Sequence, residues 1–449
     1  MQFDEALSYL LSLGHETLTI KLGLHNTEVL LRALGNPEQS FPAVQIAGTN
    51  GKGSTAVMLD SICRASGIRT GLFTSPHLIS ITERVKIEGL PIPETEFARI
   101  TGVVKETAER LVQSGELETL PTFFEHITAI SLFAFREANV GLSILETGLG
   151  GRLDSTTAAR AKIIAITPIA MDHEEYLGRT LADIAAEKAA IIRPGVRVVV
   201  GPQSDEAFAV IDQHCRSAGV RPTLAGRRQS YTLASATSRD AFASADGRVR
   251  MNLETAGTAS EAVLLGLRGR HQVNNAAIAV AVAHELEAQG FAISGEAIRR
   301  GLETARHPGR LEIWDATPRL LFDGAHNPAA AKALRAYLDE FISKPITMIF
   351  GAMRDKALTE ITSKLFPAAT EVILTEIDNA RSASLEMLRS AAGAHGHVHL
   401  ASCPADAMRI ARAVTPPDGL VCVTGSLYLV GSIQKFAAQR ALESASANA

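Results

Sequence analysis

The chain has 449 residues, 46% of them apolar, and a formal net charge of −4 from 44 basic and 48 acidic side chains. That length is too great for one ordinary core and suits two α/β domains, while the interspersed, near-balanced charge excludes the basic footprint of a nucleic-acid partner. The four cysteines (Cys63, Cys215, Cys403 and Cys422) lack metal-type spacing and read as reduced thiols of a cytoplasmic protein; the acidic start Met1 to Glu5 is unlike a signal peptide, and no apolar run is long enough to span a bilayer.

In chain order, Phe3, Leu7, Leu10 and Leu11 recur at helical spacing and predict an opening helix. Residues 43–46 read as a short buried strand, and residues 55–62 begin an amphipathic helix. Between them lies Ala47-Gly48-Thr49-Asn50-Gly51-Lys52-Gly53-Ser54, a glycine-rich turn leading into a helix N-terminus. Such a turn lets backbone N–H groups converge on phosphate oxygens, and the helix dipole favours negative charge there. Lys52 adds a point charge for the β- and γ-phosphates, and Ser54 a hydroxyl near a metal. The run departs from a Walker A loop, because Ile46 stands where the first glycine belongs and Gly53 separates Lys52 from Ser54. With its flanking strand and helix it still predicts a nucleotide-binding chain.

Strands and helices then alternate, the signature of a parallel, doubly wound sheet. Strands are predicted at 69–73, 141–146 and 162–167, and helices at 94–114, 123–139 and 181–192, the last stopped by Arg193-Pro194-Gly195. Residues 227–250 turn polar and lose helical period, which reads as short antiparallel strands or a loop-rich insertion; a helix follows at 274–289. The stretch 290–308 is the candidate boundary, with the division placed between 296 and 297. Beyond it a second α/β rhythm begins, with strands at 320–322, 346–350, 371–374 and 420–423 and a helix at 329–341. The small, polar tail from Ala437 is expected to fray.

Ligands of open α/β sheets bind beyond the carboxyl ends of the strands. Here those ends carry the phosphate loop, Thr74-Ser75-Pro76-His77, Glu146 and Asp172-His173, which directs a lysine, hydroxyls, a carboxylate and an imidazole into one crevice. Glu146 precedes a glycine-rich turn that leaves room around its carboxylate, a hard oxygen ligand suited to Mg²⁺ on nucleotide phosphates. Arg310, just past the boundary, could clamp phosphates across a domain cleft.

The run Gly48-Thr49-Asn50-Gly51-Lys52-Gly53-Ser54 resembles the phosphate loop of the Mur ligase superfamily, and its Gly-Lys-Gly-Ser spelling is similar to that of the folylpolyglutamate synthase/dihydrofolate synthase branch. Further matches follow in order: Thr74-Ser75-Pro76-His77-Leu78, Glu146-Thr147-Gly148-Leu149-Gly150-Gly151-Arg152-Leu153-Asp154, Glu187-Lys188 and His307-Pro308-Gly309-Arg310. Asp323-Gly324-Ala325-His326-Asn327-Pro328 and Thr424-Gly425-Ser426-Leu427-Tyr428 complete the series, which covers nearly all of the chain except its termini and about 204–265. The resemblance implies an α/β, two-domain Mur-ligase-like fold. A P-loop nucleotide-binding parallel-sheet domain would occupy 1–296, and a smaller Rossmann-like C-terminal α/β domain 297–449.

The implied activity is that of an ATP-dependent ligase adding L-glutamate to folates such as tetrahydrofolate, and also to dihydropteroate, through an acyl phosphate. A monofunctional tetrahydrofolate polyglutamate synthase and another Mur-type amide ligase are the alternatives. By the same resemblance ATP is held by Gly48, Thr49, Asn50, Gly51, Lys52, Gly53 and Ser54. The second domain is expected to supply its other contacts, through Asn275 in His271-Gln272-Val273-Asn274-Asn275-Ala276 and through Arg310, Asp323 and His326. Two Mg²⁺ ions are implied, one at Ser75 and Glu146 and a second at His173. Lys188 matches a lysine that takes up CO₂ to become a carbamate, which requires a neutral amine and hence a depressed pKa. Lys52, Lys188 and His173 form the implied catalytic set, and Ala189-Ala190 stands where the family more often has Ala-Gly.

Lys21, Phe124, Glu125, Leu153 and Asp154 fall on the implied pteroyl side, where an aromatic platform beside a carboxylate suits a flat heterocycle. The stretch Arg152-Leu153-Asp154-Ser155-Thr156-Thr157 departs there from the family's Asp-Ala-Thr-Asn. The implied protein is a cytoplasmic monomer with no nucleic-acid or membrane partner. A cell-wall Mur ligase would carry a UDP-binding domain ahead of the phosphate loop, for which the residues before Gly48 leave no room. A P-loop kinase or GTPase would need a glycine in place of Ile46 and a hydroxyl residue in place of Gly53. Retention of Lys52, Glu146, His173 and Lys188 argues against a non-catalytic nucleotide-binding regulator.

Overall fold

The structure is a computed structural model that describes residues 1–14, 23–226, 247–253 and 261–447. Short apolar runs ending in glycine or polar loops become strands: β1 (Ala43–Ala47), β2 (Thr70–Phe73), β3 (Val85–Ile87), β4 (Leu90–Pro91), β5 (Leu142–Glu146), β6 (Ile163–Ile166), β7 (Arg197–Val200) and β8 (Pro222–Leu224). Among the described residues they form an eight-stranded sheet in the order β4-β3-β2-β5-β1-β6-β7-β8. From β2 to β8 all neighbours are parallel, while β3 and β4 turn back antiparallel at one edge. β1, β2, β5 and β6 are buried at every residue, as a sheet covered on both faces requires.

From β1 the chain passes to β2 and β5 on one side and then to β6 on the other, a topological switch point whose crevice lies beyond the end of β1. Register sets Glu146 level with Ile46 and Ile166 level with Ala47. The phosphate loop, Glu146 and the Asp172 segment therefore leave the sheet side by side. Alternate strand residues divide between the faces. Val44, Ile46, Ile144 and Ala165 pack under helices Lys52–Ala65 and His271–Glu287, whereas Leu145 and Ile164 pack under the helices on the other side, including Phe123–Glu137 and Leu181–Ala189.

β9 (Arg248–Leu253) and β10 (Glu261–Arg268) make an antiparallel pair. Most of the polar stretch 227–250 lies outside the described residues. The second sheet contains β11 (Glu312–Trp314), β12 (Arg319–Phe322), β13 (Ile346–Phe350), β14 (Glu371–Thr375), β15 (Val398–Ala401) and β16 (Leu420–Thr424). Its order is β11-β12-β16-β13-β14-β15, parallel except for β11.

Packing bears on two expectations. Helix His271–Glu287 lies on the phosphate-loop helix and against β6 and β7, so Asn275 belongs to the first sheet's layer rather than to the second unit. Helix Gly295–Thr304 also packs on the phosphate-loop helix, with Gly301 pressed against the backbone of Ile62. A division between 296 and 297 would cut that helix, and the passage to the second sheet comes after it, along 305–311. Smaller differences are that Leu11 faces out, and that backbone helix continues from Leu427 to Ala447 through the tail expected to fray. Among the described residues no helix is long and apolar enough to cross a membrane.

Candidate active site

The turn after β1 is shaped by Gly51, at φ +88° in the left-handed region, one residue before helix Lys52–Ala65. A Cβ at this position would also run into the Asn275 side chain. The helix has no side-chain cap at its start, so its first N–H groups are open to an anion. Thr49 and Asn50 anchor the turn to the segment just after β6 by donating to the Pro168 carbonyl at 3.1 and 3.2 Å. Lys52 curls over it, Nζ donating to the carbonyls of Gly48 and Thr49 at 3.2 and 3.3 Å.

Glu146 is buried beside this turn, and its Oε2 accepts the Ser75 N–H at 3.1 Å. Burial raises its carboxyl pKa, opposed by Lys52, the Ser75 N–H, Arg310 and Arg84. Among the described residues, no three His, Cys, Asp or Glu side chains gather into a metal cage. A Mg²⁺ that bridges nucleotide phosphates needs only one or two carboxylates, and Glu146 with the Ser75 and Ser54 hydroxyls is a donor set of that kind. A buried carboxylate without an ion-pair partner among the described residues is also what such a cation would neutralise.

Asp172 and His173 follow β6. His173 sits at φ +53°, and burial, opposed by Asp172 and reinforced by Lys356, His326 and Lys52, lowers its imidazole to about 3. It is therefore neutral, the form that ligates metals. Lys188 lies on helix Leu181–Ala189, which opens with a reciprocal Thr180–Asp183 capping box. Its side chain is 4% exposed, and burial, with help from Lys52 and opposed by Asp172 and Asp154, lowers its amine to about 7. The glycine-rich loop after Glu146 docks on this helix through Arg152, whose N–H donates to the Glu187 carbonyl at 3.0 Å and whose Nη2 meets Glu187 Oε1 at 2.9 Å.

The second sheet closes over these groups. Asn327 caps helix Pro328–Phe341 by accepting from Ala330 N–H at 2.9 Å. Its Nδ2 reaches across to Asn50 Oδ1 at 3.0 Å and Asp172 Oδ2 at 3.1 Å. Lys356 Nζ pairs with Asp172 Oδ1 at 2.6 Å, both side chains only 8% exposed, and His326 Nε2 lies 3.6 Å from Asp172 Oδ2. Burial would raise the Asp172 carboxyl, but His326, His173 and Lys356 together hold it well below the usual range. Arg310 Nη1 donates to the Gly324 carbonyl at 3.2 Å. Asp323 accepts N–H bonds from Leu311 and Ala325, both at 3.0 Å, so its carboxylate shapes the turn after β12.

On the opposite side, Phe124 stands 5.8 Å from Phe73, centroid to centroid, and its far ring edge abuts Gly148, where a Cβ would overlap it. Glu125 is taken up by the helix start, accepting from Thr122 N–H at 2.7 Å and from the Thr27 hydroxyl at 3.2 Å. Asp154 likewise organises its own loop, accepting from Leu149 N–H at 2.9 Å, Thr156 N–H at 3.0 Å and the Thr156 hydroxyl at 2.5 Å. Burial raises its pKa. Lys21 lies outside the described residues.

One cavity of about 730 Å³ joins both sides. Every anticipated site residue within the described chain lines it, including Leu153, Asn275 and Arg310. It is also lined by Gln272, His307, Lys356 and Arg381, which no pattern of charge or period sets apart. The nearest sequence signal is that His307 shares its His-Pro-Gly-Arg run with Arg310.

A family model described as Mur ligase middle domain matches residues 46–283, and one described as Mur ligase, glutamate ligase domain matches 309–427. The dihydrofolate synthase/folylpolyglutamate synthase of Bacillus subtilis is 32% identical over 426 residues, covering 94% of this chain and 96% of that protein. The probable bifunctional folylpolyglutamate synthase/dihydropteroate synthase of Haloferax volcanii is 35% identical over 442 residues and 96% of this chain, which spans only 50% of that longer protein. Among solved structures, Escherichia coli FolC in complex with DHPP and ADP superposes with a TM-score of 0.85 at 29% identity, covering 98% of each chain.

Proposed function

The chain belongs to the Mur ligase family, in its folylpolyglutamate synthase/dihydrofolate synthase branch, and from that premise we propose an ATP- and Mg²⁺-dependent ligase that adds L-glutamate to folates and to dihydropteroate. The observation that carries this reading is the meeting in one cavity of the phosphate loop, the buried Glu146 carboxylate and the Lys188 amine. The relatives named for this activity and the FolC structure with DHPP and ADP support it.

A carboxylate is a poor electrophile and must be activated. An oxygen of the acceptor's carboxylate attacks the γ-phosphorus of ATP, ADP departs, and an acyl phosphate forms. The unprotonated amine of glutamate then adds to the acyl carbon, its nitrogen gives up one proton to solvent, and the tetrahedral intermediate expels inorganic phosphate to leave an amide. Lys52 from the first unit and Arg310 from the connection neutralise charge on the transferring phosphoryl group. Glu146, Ser75 and Ser54 would hold a Mg²⁺, which supplies further charge neutralisation on the phosphates. Lys188 gains CO₂ and loses a proton to become a carbamate, an anionic oxygen donor that with His173 would serve a second ion. Arg381, whose Nε is buried without a hydrogen bond, is the group on hand for a carboxylate of glutamate. Apposition of the second unit excludes water that would otherwise hydrolyse the acyl phosphate. The two sheets thus act as two domains, passing one into the other at 305–311, in a cytoplasmic monomer.

Purified protein given ATP and glutamate should release phosphate with dihydropteroate as well as with tetrahydrofolate. Turnover with tetrahydrofolate and none with saturating dihydropteroate would show a polyglutamate synthase alone. Absence of turnover with either would reject the reading.

Phe124 is the proposed face for the pteroyl ring. Gly148→Ala should push that ring aside at an overpacking cost of about 1–3 kcal/mol. The KM for the folate acceptor is then expected to rise roughly tenfold or more, one decade per 1.4 kcal/mol, with ADP affinity unchanged by calorimetry. An unchanged acceptor KM would remove Phe124 from the acceptor pocket.

A further inference from the structure

The hydroxyl of Ser54 is enclosed by groups that the mechanism above does not use. Gln272 Nε2 donates to its Oγ at 3.3 Å, and His307 Nδ1 lies 3.3 Å from the same atom. Gln272 is fixed in turn, because its Oε1 accepts from Asn275 Nδ2 at 2.9 Å, leaving only the amide nitrogen for Ser54. Ser54, Gln272 and Asn275 are all buried. His307 belongs to the connection between the two sheets and abuts Gly53, where a Cβ would stand 2.9 Å from its Cε1.

A hydroxyl has one proton and two lone pairs. Gln272 occupies one lone pair as a donor. In the tautomer whose Nδ1 carries no hydrogen, His307 takes the proton. The second lone pair is then left uncommitted, on the residue next to Gly53, whose Cβ position lies 3.3 Å from Glu146 Oε2.

We propose that His307, with Gln272, is a positioning residue that fixes the Ser54 hydroxyl rotor so that its free lone pair serves as a cation ligand at the phosphate loop. The inference rests on the nucleotide-site reading and adds the device that orients one of its ligands. His307 stands three residues before Arg310, and Arg310 N–H donates to the His307 carbonyl at 3.3 Å. One turn of the connection thus holds both the phosphate-clamping guanidinium and the group that aims the hydroxyl.

The test is calorimetric titration of ADP, with MgCl₂ and with EDTA, into the full-length protein and its variants His307→Leu and His307→Asn. Wild-type protein should bind ADP more tightly with Mg²⁺; if it does not, the nucleotide-site reading itself fails. His307→Leu should bind ADP in EDTA as wild type does but lose about tenfold or more of the Mg²⁺-dependent tightening, the usual size of an outer-shell effect on metal affinity. His307→Asn, whose Oδ1 can accept in place of Nδ1, should recover most of it. In ligase assays the half-saturating Mg²⁺ for His307→Leu should rise by a similar factor with the folate KM unmoved. Should His307→Leu fail to fold, Gln272→Met removes the opposite partner and carries the same expectation. Wild-type tightening in the leucine variant, equal damage in leucine and asparagine variants, or equal loss of binding in EDTA would each overturn the proposal.

Discussion

Lys52→Ala should lower kcat/KM for ligation by about a thousandfold, roughly 4 kcal/mol of transition-state stabilisation, while leaving the melting temperature close to that of wild type. The two parts of this expectation come from the same contacts. Among the described residues Lys52 Nζ hydrogen-bonds only to the carbonyls of Gly48 and Thr49, at the partly exposed rim of the turn, so its loss breaks no core interaction. Its charge, by contrast, lies where the proposed phosphoryl transfer would place negative charge, and no other lysine is on the loop. Steady-state rates paired with thermal unfolding check both parts. A folded variant with near-wild-type ligation would overturn the assignment of the loop.

Lys188→Ala should be comparably severe, with activity reduced more than a hundredfold, an estimate of about 3 kcal/mol for losing a ligand-forming group. The amine is half neutral near pH 7, rather than above pH 10, because burial lowers it to about 7. Carbamate formation consumes the neutral amine, so it is available at and above neutral pH and falls away as protonation takes over below about 7. Wild-type activity should accordingly fall when CO₂ and bicarbonate are stripped, most steeply on the acid side. Acetate or formate should restore part of the activity of Lys188→Ala by supplying the missing carboxylate. Activity indifferent to CO₂, together with density for an unmodified lysine, would reject the carbamate.

The parts of the molecule legible in its sequence are those written by local rules. The turn after β1 is a backbone geometry that Gly48, Gly51 and Gly53 spell out, and strands buried on both faces must be apolar runs, as 43–46 and 346–350 are. Edge strands follow no such rule. β3, β4 and β15 are short and partly or fully exposed, so nothing apolar announces them. Helix Asp205–Ser217 does carry a start signal, Ser204 followed by Asp205 and Glu206, but it lies in the stretch without motifs. The roles of Glu125 and Asp154 were hidden differently: their residue types suit a ligand, yet their oxygens are committed to a helix cap and a loop. Contacts between the sheets are the least legible. Ser54 and His307 are 253 positions apart, Asp172 and Lys356 are 184 apart, and no periodicity links such residues.

The Asp172–Lys356 pair has a further meaning for how the cleft works. Burying two ions costs several kcal/mol apiece, and their mutual attraction roughly offsets that cost, so the intact pair adds little net grip between the sheets. Deleting one partner strands the other in a dry site, a penalty of about 3–5 kcal/mol. The pair therefore behaves as a dowel rather than a glue: it admits one alignment of Asn327 over Asn50 and rejects misaligned ones. A joint that is exacting about angle yet weakly held suits the proposed ligase, whose cleft would have to admit two substrates and a nucleotide, shut out water, and let three products go.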